Sequence, residues 1–327
     1  MKRLSPILYG LLFVALLVAP FAGLYPVFMM KLMCFALFAA AFNLLLGFTG
    51  LLSFGHAAFF GGAAYVTGYA VKAWGFTPEA GLLVGTLIGA VLGWVFGVLA
   101  IRRQGIYFAM ITLALAQMVY FFALQAPFTG GEDGLQGVSR GRLFGLLDLS
   151  GDVTMYYVAL VVVTAALLLI ARIVHSPFGQ VLRGIKENEA RAVSLGYDVA
   201  RFKLLAFVLS AAVAGLAGSL KTLVLGFATL TDVHWTTSGS VVLMTLVGGM
   251  GMLSGPLVGA SVVVMLENKL GEVGNGLAGL LGIEWLRTLG ESVTTVTGLI
   301  FVVCVLTFRR GVMGEMSAAL QRVLRRR

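Results

Sequence analysis

Charged residues are scarce in this sequence. Of its 327 residues, 11% are Asp, Glu, Lys or Arg, and 59% are hydrophobic. Soluble domains carry about 25% charged residues, so the composition excludes an ordinary soluble protein. The apolar runs are long enough to cross a bilayer, and they lack the alternating pattern of barrel strands. We therefore predict an all-α polytopic membrane protein, a single transmembrane domain over residues 1–327, with eight to ten transmembrane helices and broken or re-entrant segments.

Chemically reactive groups are also sparse. The two cysteines, Cys34 and Cys304, lie in separate apolar runs and are expected to be buried thiols, without metal or disulfide spacing. There is no Gly-x-x-x-x-Gly-Lys-Ser/Thr loop for nucleotide phosphates, and no Ser/His/Asp or paired-carboxylate arrangement. We expect no catalytic residue, no cofactor and no metal site. If ATP drives this protein, another chain binds the nucleotide.

The apolar runs divide the chain into segments on two sides of the bilayer. The predicted spans cover residues 6–28, 31–46, 57–74, 80–101, 105–125, 153–172, 204–225 and 292–308, with shorter runs at 239–250 and 255–267 that either both cross or both re-enter. The first span resembles a signal peptide, but its length favours a retained span. An amphipathic connector is expected at residues 268–291.

The net charge of +9 is distributed by side rather than gathered in one patch, which argues against nucleic-acid binding. With the N-terminus inside, 16 of the 23 lysines and arginines are cytoplasmic and 7 are external. Basic residues favour the cytoplasmic side, so both termini are predicted inside and the polar loop 126–152 outside. No charge falls near the middle of a predicted span, which disfavours a carrier that couples through an intramembrane charge.

A polar insert at residues 176–203 interrupts the apolar chain on the predicted cytoplasmic side. Ser176 and Pro177 predict a helix start, and Gly196 a stop, so one helix is expected over residues 178–194. Phe178, Leu182 and Ile185 would share one face of it. That apolar patch beside mixed charges favours a docking element, although a membrane-surface helix without a partner is an alternative.

Two Gly-rich stretches interrupt apolar runs and resemble each other. In the first break, residues 47–56, four positions match the second break, residues 248–256, at a constant offset of 201. Paired interruptions in two halves of a chain indicate a transport path, whereas coincidence and helix capping are the competing interpretations. The candidate path residues are Asn43, Gly47, Thr49, Gly50, Ser53, His56, Gly248, Gly251 and Ser254.

Several of these stretches resemble one family. The run Asn43-Leu-Leu-Leu-Gly-Phe-Thr-Gly-Leu-Leu-Ser-Phe-Gly-His-Ala-Ala-Phe59 resembles the signature of LivM-type permeases of branched-chain amino-acid ABC importers. The segments Ser176-Pro-Phe-Gly179 and Glu187-Asn-Glu-Ala-Arg-Ala-Val-Ser-Leu-Gly196 are similar to that family too, as are the second break and the 129–134 loop. The resemblance covers about residues 40 to 310.

The resemblance implies a bacterial inner-membrane permease with a second, LivH-like permease, two ATP-binding subunits and a periplasmic amino-acid-binding protein as partners. The insert would be the coupling helix, residues 176–196, seated on an ATP-binding subunit. The implied coupling residues are Phe178, Gly179, Leu182, Arg183, Lys186, Glu187, Glu189, Ala190, Arg191 and Gly196. The sequence departs from the family's Glu-Ala-Ala-x-x-x-Gly form, because Arg191 replaces the second Ala and the Gly comes one place late.

The sequence therefore predicts an ATP-driven importer of branched-chain or related neutral amino acids. Relatives implied by the resemblance carry urea, short amides or sugars, so the cargo stays open. An ATP-independent channel or secondary carrier for a small neutral solute is the alternative from a different class, and the two Gly-rich breaks fit it as well.

Overall fold

The structure, a computed structural model, describes residues 16–21, 23, 25–281, 298–299, 302–303, 307 and 311–315, with the backbone alone over 269–281. About half of the predicted first span, most of the last span and most of the basic tail lie outside the described residues. The helices are α1 (Pro26–Thr49), α2 (His56–Ala73), α3 (Pro78–Ala100), α4 (Ile106–Gln125), α5 (Asp152–His175), α6 (Pro177–Glu187), α7 (Glu189–Ser194), α8 (Val199–Leu225), α9 (Leu230–Val233), α10 (Trp235–Gly248) and α11 (Gly255–Leu281).

Five of these helices, α1, α3, α4, α5 and α8, are long and apolar enough to cross a membrane. The structure thus confirms the prediction of an all-α polytopic membrane protein. Helix α8 packs against α1, α2 and α3, while α1 is buried for most of its length. By contrast, α3, α4 and α5 expose most of their apolar surface, as expected of helices that face lipid or another subunit.

Glycine at every fourth position lets α3 approach α8 closely. These glycines recur at positions 81, 85, 89, 93 and 97, and all five are buried. A Cβ at Gly89 would lie 2.7 Å from the carbonyl oxygen of Ala211 and 3.0 Å from the Cα of Gly215. Small residues at such spacing allow helix backbones to approach in the membrane. The opposite face of α3 exposes Leu83 and Leu87.

Two predicted boundaries were wrong. Helix α8 begins at Val199, five residues before the predicted span, because the Asp198 side chain accepts a hydrogen bond from the backbone N–H of Arg201 and caps an earlier turn. Helix α11 continues to Leu281, through the residues where a separate connector was predicted to begin. Residues 268–281 contain no proline, and the glycines and Asn275 within them do not end the helix.

The insert contains two helices, α6 and α7, where one coupling helix over 176–196 was predicted. Its start is as expected, since the Ser176 hydroxyl accepts from the Gly179 N–H and Pro177 follows. Asn188 then breaks the helix: its backbone is extended, and its side chain caps α7 by accepting from the Arg191 N–H at 3.0 Å. Asparagine competes with the helix backbone in this way. Gly196, at φ +87°, follows the end of α7.

On the opposite side of the molecule, the segment between α4 and α5 forms a compact loop. It contains two single-turn 3₁₀ helices, Pro127–Thr129 and Gly131–Asp133, and a hairpin of β1 (Arg142–Leu143) and β2 (Leu147–Asp148) paired antiparallel. Leu135 and Ala228 exchange backbone hydrogen bonds of 2.9 Å in both directions. The loop is therefore bonded to the segment between α8 and α9.

Candidate functional site

The two Gly-rich breaks meet inside the fold. Each interrupts its helices for six residues, 50–55 between α1 and α2 and 249–254 between α10 and α11. The matching Gly50 and Gly251 both have a left-handed backbone, at φ +77° and +75°. A Cβ at Gly47 would lie 2.8 Å from the amide nitrogen of Gly251, so glycine permits the contact. The offset found in the sequence thus relates two segments that also touch.

Asn43 joins the two breaks. Its Oδ1 accepts from the backbone N–H of Gly251 at 2.9 Å, and its Nδ2 donates to the carbonyl oxygen of Met252 at 2.9 Å. Asn43 is 2% exposed. In a helix break, backbone groups that lack helical partners must find others. Asn43, on α1, satisfies two such groups of the second break.

The insert contacts the first break directly. Lys186 Nζ donates to the carbonyl oxygen of Gly47 at 2.7 Å. The Arg183 guanidinium lies 5.3 Å from the centre of the Phe48 ring, within cation–π range. Contacts therefore run from α6 through the end of α1 to Asn43 and the second break. We call this set the insert–break link: Lys186, Arg183, Gly47, Phe48 and Asn43.

The apolar face predicted on the insert is covered by the chain itself. Leu182 is 0% exposed, Ile185 packs with Ala192 and Val199, and Phe178 stacks on Phe202 with ring centres 5.6 Å apart. The prediction that this patch lies open to a partner was wrong, because the short links to α5 and α8 bring neighbouring apolar side chains over it.

The charged face of the insert lies outward. Among the predicted coupling residues, Gly179 and Leu182 are buried, Phe178 and Glu189 are half-buried, and the remainder are exposed: Arg183, Lys186, Glu187, Ala190, Arg191 and Gly196. A groove of about 440 Å³ opens beside α6 and α7. Its walls are formed by Pro177, Gln180, Val181, Gly184, Glu187, Asn188, Arg191, Ala192, Leu195 and Tyr197.

Glu189 fastens α7 to two other parts of the molecule. One carboxylate oxygen pairs with Lys203 Nζ on α8 at 2.7 Å, and the other accepts from Gln104 Nε2 at 3.0 Å. Gln104 lies in the turn between α3 and α4. The sequence pattern offered no sign of this three-way contact, since the three residues are far apart in the chain.

Several candidate path residues use their polar groups locally. The Thr49 hydroxyl donates to the Leu45 carbonyl, and the Ser53 hydroxyl accepts from the Gly55 N–H at 3.1 Å. These are the capping contacts that stood as the alternative interpretation. Ser254 ends the second break, where its carbonyl accepts from the Val258 N–H. A role of these residues in a solute path stays a prediction.

His56 is fully buried among aromatic rings. Its Nε2 lies 2.9 Å from the Ser210 Oγ, and Ser210 donates its single hydroxyl hydrogen to the Ala41 carbonyl at 2.6 Å. Nε2 must therefore donate to Ser210, which leaves Nδ1 as an acceptor without a partner among the described residues. The rings of Phe42 and Phe59 meet the imidazole edge to face. His56 thus links α1, α2 and α8, and its role in a solute path stays a prediction.

A buried ion pair between α8 and α9 was not predicted from the sequence. Lys221 Nζ, on α8, lies 2.5 Å from Asp232 Oδ2, on α9, and the two side chains are 5% and 8% exposed. No partner was predicted for either residue. The available signal was a lysine within an apolar run, followed by an acid eleven residues later.

The fold and these contacts define a multi-pass helical membrane protein built around two interrupted helix pairs that meet. Residues 24–275 match the model of one protein family, described as the permease component of the branched-chain amino acid transport system. Because the match covers more than half of the chain, this protein belongs to that family of transport permeases.

Individual relatives agree with this membership. The chain is similar to the high-affinity branched-chain amino acid transport permease LivM of Salmonella typhimurium strain LT2 and of Escherichia coli K12, each 29% identical over 261 residues. Those matches cover 71% of this chain and 60% of each relative. A probable LivM of Methanocaldococcus jannaschii is 26% identical over 192 residues, 57% of this chain and 54% of the relative. No solved structure matches the chain significantly.

Proposed function

We propose that this protein is the membrane-spanning subunit of an ATP-driven importer for branched-chain or related neutral amino acids. The observation that carries the proposal is the insert–break link, in which Lys186 of a charged surface helix donates to Gly47, at the first break. Membership in the branched-chain amino acid permease family supports the cargo class. In this assignment the chain catalyses no reaction of its own, and ATP hydrolysis falls to partner subunits.

The proposed assembly has two permeases, this chain and a LivH-like one, in a bacterial inner membrane with both termini of this chain cytoplasmic. Two ATP-binding subunits dock from the cytoplasm, and a periplasmic binding protein delivers the amino acid. The outward charges of α6 and α7 and the adjoining groove support the insert as the docking site, because a mixed-charge surface fits a partner of complementary charge.

The mechanism follows from the contacts. Closure of the ATP-binding pair would displace α6, and Lys186 would transmit the displacement to Gly47 and the end of α1. Asn43 would carry it on to Gly251 and Met252 in the second break. Interrupted helices change shape more readily than continuous ones, because fewer backbone hydrogen bonds must break. The two breaks would therefore move together and open the path inward.

Co-purification and uptake test this assignment. The chain, co-expressed with the permease, ATP-binding and binding-protein genes beside its own, should retain the ATP-binding subunits in detergent and import leucine into ATP-loaded proteoliposomes. Arg183→Glu should weaken that retention strongly, because it reverses an exposed charge on α6. Arg142→Glu, an exposed reversal on the opposite side, is the matched control and should retain them fully. A wild-type chain that retains no ATP-binding subunit would overturn the proposal.

A further inference from the structure

A buried charge cluster lies at the end of α8 that is far from the insert. Lys221 and Asp232 form its ion pair, whereas Lys203 marks the insert end of the same helix. Eighteen residues separate the two lysines, about 27 Å at a rise of 1.5 Å per residue. The cluster and the insert therefore belong to opposite sides of the membrane protein.

Asp232 concentrates its contacts on one oxygen. Its Oδ2 accepts from Lys221 Nζ, from the Thr229 N–H at 3.0 Å and from the Thr229 hydroxyl at 3.0 Å. Lys221 Nζ also lies 5.1 Å from the centre of the Phe227 ring. A buried ion pair seldom adds net stability over apolar residues of similar volume. Capping of α9 needs only a polar side chain at 232, so the fold alone does not require the two charges.

A third polar group lies in the same layer without a partner. Tyr65, on α2, is 2% exposed, and its hydroxyl has no hydrogen-bond partner among the described residues. Gly61, one turn earlier on the same face of α2, abuts α9, since a Cβ there would lie 2.6 Å from the Val233 nitrogen. A buried, unsatisfied hydroxyl is unfavourable, so its presence suggests a partner that arrives during function.

Only a thin layer separates this cluster from the surface. Helix α9 has four residues, and Thr231 within it is exposed. So short a helix has little stability of its own. The loop between α4 and α5 lies over α9. It is joined to residues 226–228 by the Leu135–Ala228 pair and by the Val138 N–H, which donates to the Gly226 carbonyl at 2.9 Å. A small displacement of α9 and this loop would open the ion pair to a solute.

We propose that Lys221, Asp232 and Tyr65 form a transient binding site for the charged headgroup of a zwitterionic α-amino acid. The Lys221 ammonium takes the carboxylate of the solute, Asp232 takes its ammonium, and the Tyr65 hydroxyl donates to the carboxylate. Both protein charges exchange one partner for another, so neither is left unpaired when the pair opens. This inference rests on the proposed function, because it assumes that amino acids are the cargo.

The sharpest test is Tyr65→Phe. The hydroxyl it removes makes no hydrogen bond within the described residues, so a purely structural role predicts unchanged uptake and a melting temperature that is not lowered. We expect leucine uptake by the reconstituted importer to fall about fivefold, the factor for one hydrogen bond, with a melting temperature no lower than that of the wild type. Tyr69→Phe, one turn further along α2, is the matched control and should import at the wild-type rate.

A second variant tests the charges. In Lys221→Met/Asp232→Asn the two charges disappear together, which avoids an isolated buried charge, and Asn can still cap α9. We expect uptake to fall about tenfold or more while the complex still retains its ATP-binding subunits. If that variant does not fold, Tyr65→Phe decides alone.

The two proposals fail differently. Wild-type uptake by Tyr65→Phe would overturn the headgroup site while the importer itself stands. An absence of ATP-dependent leucine uptake by the wild-type complex would overturn the proposed function, whatever the variants do.

Discussion

Each end of α8 carries an ion pair, but the two pairs differ in their exposure to water. At each end a lysine of α8 pairs with an acid on a short helix: Lys203 with Glu189 of α7 at 2.7 Å, and Lys221 with Asp232 of α9 at 2.5 Å. The Glu189 side chain is 34% exposed and that of Asp232 only 8%. Lys203 is as buried as Lys221, at 6% and 5% exposure, so the two pairs differ in the acid: water reaches the Glu189 carboxylate and screens the first pair more than the second. The insert end can therefore exchange contacts with a partner at low cost, whereas the far end opens only when a solute replaces the lost charge.

The largest effect is expected from Asp232→Ala, which leaves Lys221 buried without its counter-ion. Removing one member of a buried pair costs about 3–5 kcal/mol, so we expect a large drop in melting temperature in detergent. Arg201→Ala, which removes an exposed pair and leaves the Asp198 cap in place, is the control. Equal melting temperatures for the two variants would contradict the contrast between the ends.

Asn43→Ala comes next, because it separates the two breaks. It removes the hydrogen bonds to Gly251 and Met252 and leaves their backbone groups unsatisfied, at about 1–3 kcal/mol each. Faster hydrogen exchange in residues 249–254 should report the loss. Asn268→Ala removes only a bond to the Val264 carbonyl within one helix, and it should leave exchange in the second break unchanged. Unaltered exchange in Asn43→Ala would show that Asn43 does not hold the breaks together.

A moderate effect is expected from Glu189→Gln at the insert end. The neutral side chain still accepts from Gln104 but loses the charge that pairs with Lys203. The Lys203 side chain is 6% exposed and that of Glu189 34%, so this pair lies between the exposed and the buried cases, and the melting temperature should fall by less than in Asp232→Ala. If the melting temperature of Glu189→Gln fell as far as that of Asp232→Ala, water would be excluded from the Lys203–Glu189 pair as fully as from the Lys221–Asp232 pair.

The smallest effect is expected from Arg201→Ala. Its pair with Asp198 is largely solvent-exposed, and an exposed pair three residues apart contributes about 0.5 kcal/mol or less. Thermal unfolding should not distinguish this variant from the wild type. A clear destabilisation would point to a contact of Arg201 beyond the exposed pair.

Much of the fold could be predicted from the sequence, because a bilayer imposes long apolar helices. The spans that became α3, α4 and α5 were placed within a few residues for this reason. The insert was harder, because the competition between helix and cap at Asn188 depends on one side chain. Its apolar face was predicted to be open to a partner, but Leu182 and Ile185 are buried by other parts of the chain. Such tertiary contacts are not visible in the local sequence.

The site shows the same division. The offset of 201 identified both breaks, because glycine requirements leave a mark in the sequence. The residues that contact the breaks could not be predicted, because they are distant in the sequence. Lys186 and Gly47 are 139 residues apart, and Asn43 and Gly251 are 208 apart. The Lys221–Asp232 pair was missed because Lys221 looked like an ordinary charge at a helix end, and burial depends on the short α9 that covers it.

The number of leucine molecules imported per ATP hydrolysed tests the central claim, that the insert and both breaks move as one linked unit. Lys186→Met removes the donor to the Gly47 carbonyl, and Lys186→Arg restores a charged donor. We predict that reconstituted Lys186→Met hydrolyses ATP but imports several-fold less leucine per ATP, in line with the loss of one charge-assisted hydrogen bond, and that Lys186→Arg recovers part of the ratio. A wild-type ratio in Lys186→Met would contradict the link.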